Sequence, residues 1–180
     1  MKGMRFKTAL CNTEIMGAFA AHPLRRFAFR GAAKRYFAGD SRDALGTVRR
    51  YANKCRSNAD RRGVLLLSAM CLVEMGEDRA ATAMLAQYLE LDPAPKHRAE
   101  ARRMLGHLYE KQNDLDEAKR CFADVTHFEN KNCESYLDLA RICIKRGEIA
   151  DARACAEKAK KLNPNAAANF AIDALFSEGA

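Results

Sequence analysis

Between Glu100 and Val125 the apolar residues recur at helical spacing, stop, and start again. Met104, Leu105, Leu108 and Tyr109 form one stripe, Asn113 and Asp114 interrupt it, and Leu115, Ala118, Phe122 and Val125 form a second. Asp114 is placed to cap the second helix, with Glu117 three residues on as its capping-box partner. Two amphipathic helices joined by so short a turn pack antiparallel. Neither buries its whole apolar face on the other, so the pattern predicts neighbours of the same kind.

The chain supplies them. Moved 34 residues on, the pattern meets Tyr136 to Pro164, with Leu139, Ala140, Cys143, Ala152 and Ala159 in the corresponding places and Gly147 at the turn. Moved 37 residues back, it meets Leu65 to Pro93, with Ala69, Leu72, Gly76, Ala81 and Leu85; a further 37 back it meets Ala32, Gly39, Ala44, Val48 and Tyr51. Four helix-turn-helix units start near Arg25, Arg62, Ala99 and Cys133. Small residues at the crossing of the two helices let their backbones approach, where a large side chain would hold them apart.

This pattern resembles the tetratricopeptide repeat, a 34-residue helix pair with a small residue at its eighth position, a large apolar one at the eleventh, alanine at the twentieth and proline near the thirty-second. Gly106, Tyr109, Ala118 and Phe122 carry the likeness in the third unit, Ala140, Ala152, Ala159 and Pro164 in the fourth, and Ala69, Ala81 and Pro93 in the second. The first unit departs most: Arg35 stands at the eleventh position and no proline closes it. The resemblance implies an all-α, right-handed superhelical solenoid over residues 24–164, with units near 25–61, 62–98, 99–132 and 133–164. Residues 1–23 precede it as a basic arm or targeting segment. The segment NAAANFAIDALF opens residues 165–180, expected to be a capping helix and tail that cover the open edge of the last unit.

The resemblance also implies a function, a non-catalytic scaffold or adaptor that holds a partner's peptide or helix in a concave groove. Carried over position by position, the groove residues are Phe29, Tyr36, Leu66, Met70, Val73, Arg103, His107, Leu137, Arg141 and Ile144. The set is apolar at its N-terminal end and mixed in charge beyond, which suits an amphipathic helix or an extended apolar peptide. Arg103 and Arg141 are expected to select acidic residues beside the apolar anchors. The Lys and Asn positions by which some members clamp a terminal carboxylate hold Phe29, Ala33, Leu66 and Met70 instead, so that ligand is disfavoured. The alternatives are a secretion-type chaperone shielding an apolar partner subunit, and an N-terminal segment that folds over Leu66, Met70 and Val73. Homodimerisation through an uncovered edge stays open.

Charge changes one part of this picture. The chain's net +8 comes almost wholly from residues 1–39, which hold eight Lys or Arg and one acid, Glu14. The body is balanced, so a whole-domain nucleic-acid surface loses support. A basic arm remains, able to meet RNA, an anionic membrane or an acidic partner. Its stretches RRFA and RYFA resemble sites where mitochondrial presequences are cut, although serine is absent until Ser41. A cytoplasmic protein is the expectation and a mitochondrial one the alternative. The most apolar run, Val64 to Val73, is ten residues long, half of the roughly 20 a bilayer requires.

Candidate chemistry is sparse. The seven cysteines are odd in number and lack any CxxC or paired Cys/His spacing, which favours reduced thiols acting as small apolar residues over a metal site. His107 is the one histidine placed in the groove, with no nucleophile to serve, and reads as a polar contact. No phosphate loop, HExxH or GxSxG is present. No enzyme, cofactor or metal is expected.

Overall fold

The computed structural model describes residues 15–20 and 23–165. They contain eight α-helices and no strand: α1 (Pro23–Ala38), α2 (Ser41–Ala52), α3 (Asn58–Glu74), α4 (Asp78–Glu90), α5 (Pro95–Lys111), α6 (Leu115–Phe128), α7 (Cys133–Lys145) and α8 (Ile149–Leu162). The all-α class is therefore as expected. Two compact units divide between Arg98 and Ala99. The first holds α1 to α4, the second most of α5 with α6 to α8. The expected capping helix, apart from Asn165, and residues 1–14 of the basic arm lie outside the described residues. Among the described residues no helix is long and apolar enough to cross a membrane.

Every helix pair is closed by the same joint. Gly39, Gly76, Asn113 and Gly147 adopt positive φ, between 60° and 100°. Their N–H groups donate to the carbonyls of Tyr36, Val73, Glu110 and Ile144, and the next residues' N–H groups donate to Arg35, Leu72, Tyr109 and Cys143, all at 2.9 to 3.1 Å. This pair of bonds is the Schellman ending of a helix, and it needs a residue that tolerates the left-handed region. The residue that follows, Asp40, Glu77, Asp114 or Glu148, begins the next helix. Its carbonyl accepts from Ala44, Ala81, Ala118 or Ala152 at 3.0 Å. An acid at each of these four positions meets the positive end of the helix dipole. The divergent first unit is built on the same joint as the others.

Nothing lies near the place where a Cβ on Gly76 would stand, so only its φ of 78° opposes a side chain. Gly76→Ala is expected to cost about 1–2 kcal/mol from the backbone alone, and Asn113→Gly to stabilise by a few tenths. Urea denaturation followed by circular dichroism reads both; a neutral Gly76→Ala would mean that the left-handed turn is not populated.

Capping differs from expectation at one point. The Asp114 side chain accepts from the Glu117 N–H at 3.3 Å, but the Glu117 carboxylate pairs with Arg120 at 2.6 Å instead of returning to the cap. The reciprocal capping box forms at α3, between Ser57 and Asp60.

In the first unit α3 packs against both α2 and α4 and is apolar on nearly every side, with Val64, Leu66, Leu67, Ala69, Met70, Cys71 and Leu72 all buried. In the second unit Ala118, Phe122 and Ile142 form the core, with Tyr109 and Leu139 against it. Gly106 faces the Phe122 ring so closely that a Cβ there would stand 2.8 Å from it.

Candidate functional site

The first unit is already covered by part of its own chain. Ile15, Ala18 and Phe19 are buried, while Gly17 and Ala20 are exposed. The Phe19 ring lies 5.4 Å from that of Phe29 on α1 and 5.8 Å from that of Tyr51 on α2, distances at which aromatic rings attract edge to face. Phe19 takes a φ of 59°, and its N–H donates to Asp60 Oδ1 at 2.7 Å. Asp60 sits in the first turn of α3, where its other oxygen accepts from the N–H groups of Arg56 at 3.1 Å and Ser57 at 3.3 Å. Burial raises the Asp60 pKa, but these three backbone donors and the Ser57 hydroxyl outweigh it and hold the carboxyl below its ordinary value.

The apolar groove residues therefore need correction. Phe29, Leu66 and Met70, expected to line an open groove, are 0% exposed, and Tyr36 and Leu137 are buried as well. Phe19 covers Phe29. Leu66 and Met70 lie on α3, which packs against both α2 and α4. Val73, at the end of α3, is half-buried.

In the second unit the polar candidates are brought together, but with one another. Glu110 on α5 accepts from Arg141 of α7 and from Lys145 at 2.7 Å, and the His107 Nδ1 stands 3.7 Å from it. Arg141 also donates to Asp138 at 3.1 Å and lies over the Phe122 ring, which the His107 ring meets edge-on at 5.0 Å. Arg103 donates to Glu129 at 2.5 Å and to the Ser135 hydroxyl at 2.9 Å, with its Nε 3.6 Å from Asp138. Ile144 is half-buried. The two arginines expected to read acidic residues of a partner thus have acidic residues of their own unit. Burial raises the Glu110 pKa, but the bonds from His107, Arg141 and Lys145 overcome it and hold the carboxyl far below the usual range.

Burial pushes the thiols of Cys71 to about 12 and of Cys121 and Cys143 to about 11, so all three stay protonated at neutral pH. Among the described residues, Cys143, Glu148 and Asp151 stand close enough to share a cation. The Lys119 ammonium occupies that role, 2.6 Å from Glu148 and 3.0 Å from Asp151.

Sequence reasoning missed Phe19 and Asp60. The Ser57-Asn58-Ala59-Asp60 spacing, a capping-box pattern, was the available signal for Asp60. Phe19 lies outside every periodic segment.

Residues 99–127 and 133–166 match family models of the tetratricopeptide repeat. Those two stretches carry tetratricopeptide repeats. As a family these are interaction scaffolds and generally non-catalytic. Protein O-mannosyl-transferase Tmtc3 of Drosophila melanogaster is 28% identical over 107 residues, a match that spans 59% of this chain and 11% of that protein. Among solved structures, MamA residues 41 to the end from Desulfovibrio magneticus RS-1 superpose with a TM-score of 0.68 at 15% identity, covering 86% of this chain and 96% of that one. A second MamA structure gives 0.64 at 19% identity over 74% of each chain. YrrB, described as a tetratricopeptide repeat protein with an unusual peptide-binding site, gives 0.65 at 17% identity, over 78% of this chain and 69% of its own. At these identities the likeness is one of fold.

Proposed function

We propose that this repeat protein is a non-catalytic interaction scaffold whose first unit binds a short helical turn from a protein partner. The turn places an aromatic ring against Phe29 and Tyr51 and presents a backbone N–H to Asp60. Residues 15–20 carry this reading, because they occupy the seat as a ligand would, with Ile15, Ala18 and Phe19 inward and Gly17 and Ala20 outward. Peptide binding by a repeat of this fold has a precedent in YrrB. A partner segment of the same chemistry then competes with the chain's own.

Competition makes the reading testable in the full chain. Phe19→Ala, checked for helicity by circular dichroism, removes the ring from the seat. A fluorescent peptide of the sequence TEIMGAFAAH, residues 13–22, is expected to bind this variant about tenfold more tightly than wild type, since the internal competitor is weakened. Adding Asp60→Asn should return the affinity to the wild-type level or below. Equal binding by wild type and Phe19→Ala would overturn the proposal.

A further inference from the structure

The first unit differs from the others in what fills the space between its two helices. At the fourth, seventh and eleventh positions the later units carry Leu65, Ser68 and Leu72, then Arg102, Leu105 and Tyr109, then Tyr136, Leu139 and Cys143. The first unit carries Ala28, Gly31 and Arg35. Two small residues and one long cation leave a cavity of about 430 Å³ between α1 and α2, within the range of small-ligand sites. Phe27, Arg35, Thr47, Arg50, Tyr51 and Lys54 line it.

Its chemistry is one-sided. Arg35 Nη1 donates to the Thr47 hydroxyl oxygen at 3.0 Å, and Arg50 Nη2 donates to the same oxygen at 3.3 Å. The Thr47 hydroxyl in turn donates to the Asp43 carbonyl at 3.0 Å. Two guanidinium groups therefore converge on one neutral oxygen, which offsets their repulsion far less than a carboxylate would. The Lys54 ammonium, which also lines the cavity, stands 5.2 Å from the Tyr51 ring centre. Among the described residues lining the cavity none is acidic. Phe27, which also lines the cavity, is 81% exposed and so offers a ring face to a ligand.

We propose that this cavity binds a phosphate monoester borne on a flat, aromatic group. Arg35, Arg50 and Lys54 hold the phosphate, and Phe27 and Tyr51 flank the ring. Two guanidinium groups that meet at one oxygen, with an ammonium lining the same cavity, favour a dianion over a carboxylate, and the arginine fork matches phosphate oxygens two at a time. A phosphotyrosyl side chain of a protein partner presents this group; a free nucleotide shares the phosphate monoester but carries it on a ribose, with its flat base further away. The cavity is distinct from the seat of residues 15–20, although Tyr51 borders both.

Titration calorimetry of the full chain with phenyl phosphate is the test. Wild type is expected to bind at one saturable site, and Arg35→Gln or Arg50→Gln to weaken binding about tenfold each, as the loss of a charge-assisted hydrogen bond predicts. Arg42→Gln and Arg49→Gln, which remove exposed cations of α2 outside the cavity, should keep the wild-type affinity. Competition by adenosine monophosphate and by a phosphotyrosyl peptide then assigns the source. Absence of saturable binding, benzoate binding as tightly as phenyl phosphate, or equal losses in all four variants would overturn the assignment. The TEIMGAFAAH peptide reports separately on the other seat, so one proposal can fail while the other stands.

Discussion

Gly106→Ala is expected to destabilise the second unit by about 1 kcal/mol or more, although alanine is the better helix former by about 1 kcal/mol. A Cβ at this position would meet Cζ of Phe122 at 2.8 Å and Cε2 at 2.9 Å. Phe122 is fully buried, with His107 and Arg141 on its ring, so it has nowhere to retreat. Overpacking of this kind costs roughly 1–3 kcal/mol, with the upper end expected for so close an approach to a ring that cannot move. Phe122→Ala alone should cost more, about 3–5 kcal/mol, through the cavity it opens. In that background the sign reverses: Gly106→Ala should now stabilise, because the propensity gain survives and the clash is gone. Denaturant midpoints for the four proteins of this cycle decide the matter. An effect of Gly106→Ala with the same sign in both backgrounds would show that the ring does not set the requirement for glycine.

The same two residues mark how far a linear pattern of side chains reaches. Gly106 and Phe122 sit at repeat positions whose roles follow from periodicity, and periodicity is a local property that recurs at fixed spacing. The helix pairs, the small residues at their crossings and the turn positions are legible for that reason, including the turn at Gly39 in the otherwise divergent first unit. The expected site is less so, and the reasons are physical. A helical stripe identifies an exposed face only when the opposite face is polar; α3 is apolar almost all round, so the spacing of Leu66 and Met70 does not tell groove from core. Arg103 and Arg141 can be placed on a face, but their partners Glu129 and Glu110 lie 26 and 31 residues away. No local pattern reveals that such a charge is already paired. The bond from Phe19 to Asp60 spans 41 residues and uses a backbone N–H, which every residue but proline has. The hollow in the first unit is written in the sequence as Ala28, Gly31 and Arg35, visible as a departure from the repeat but not as a cavity.

Glu110→Gln is expected to lower the stability of the second unit by about 2 kcal/mol at neutral pH. Removing one partner of a buried pair costs roughly 3–5 kcal/mol, and partial access to water at Arg141 and Lys145 reduces that figure. The Glu110 side chain is 11% exposed, against 26% for Arg141 and 49% for Lys145. Its pH dependence has a definite sign. The folded-state pKa of Glu110 is depressed below the ordinary glutamate value of 4.5, so the stabilisation is fully present above that value and is lost as pH falls through the depressed one. The gap between wild type and Glu110→Gln in urea midpoint should therefore hold from pH 7 to about 4.5 and close only in more acid solution. Glu134→Gln, an exposed acid in the first turn of α7, should stay within about 0.5 kcal/mol of wild type throughout. A gap that closes already near pH 5 would mean that Glu110 titrates as an ordinary surface glutamate. The same variant bears on binding, since it leaves Arg141 and Lys145 without their shared carboxylate. An acidic peptide that gains affinity for Glu110→Gln over wild type would show that this carboxylate is what an acidic ligand of the second unit must displace.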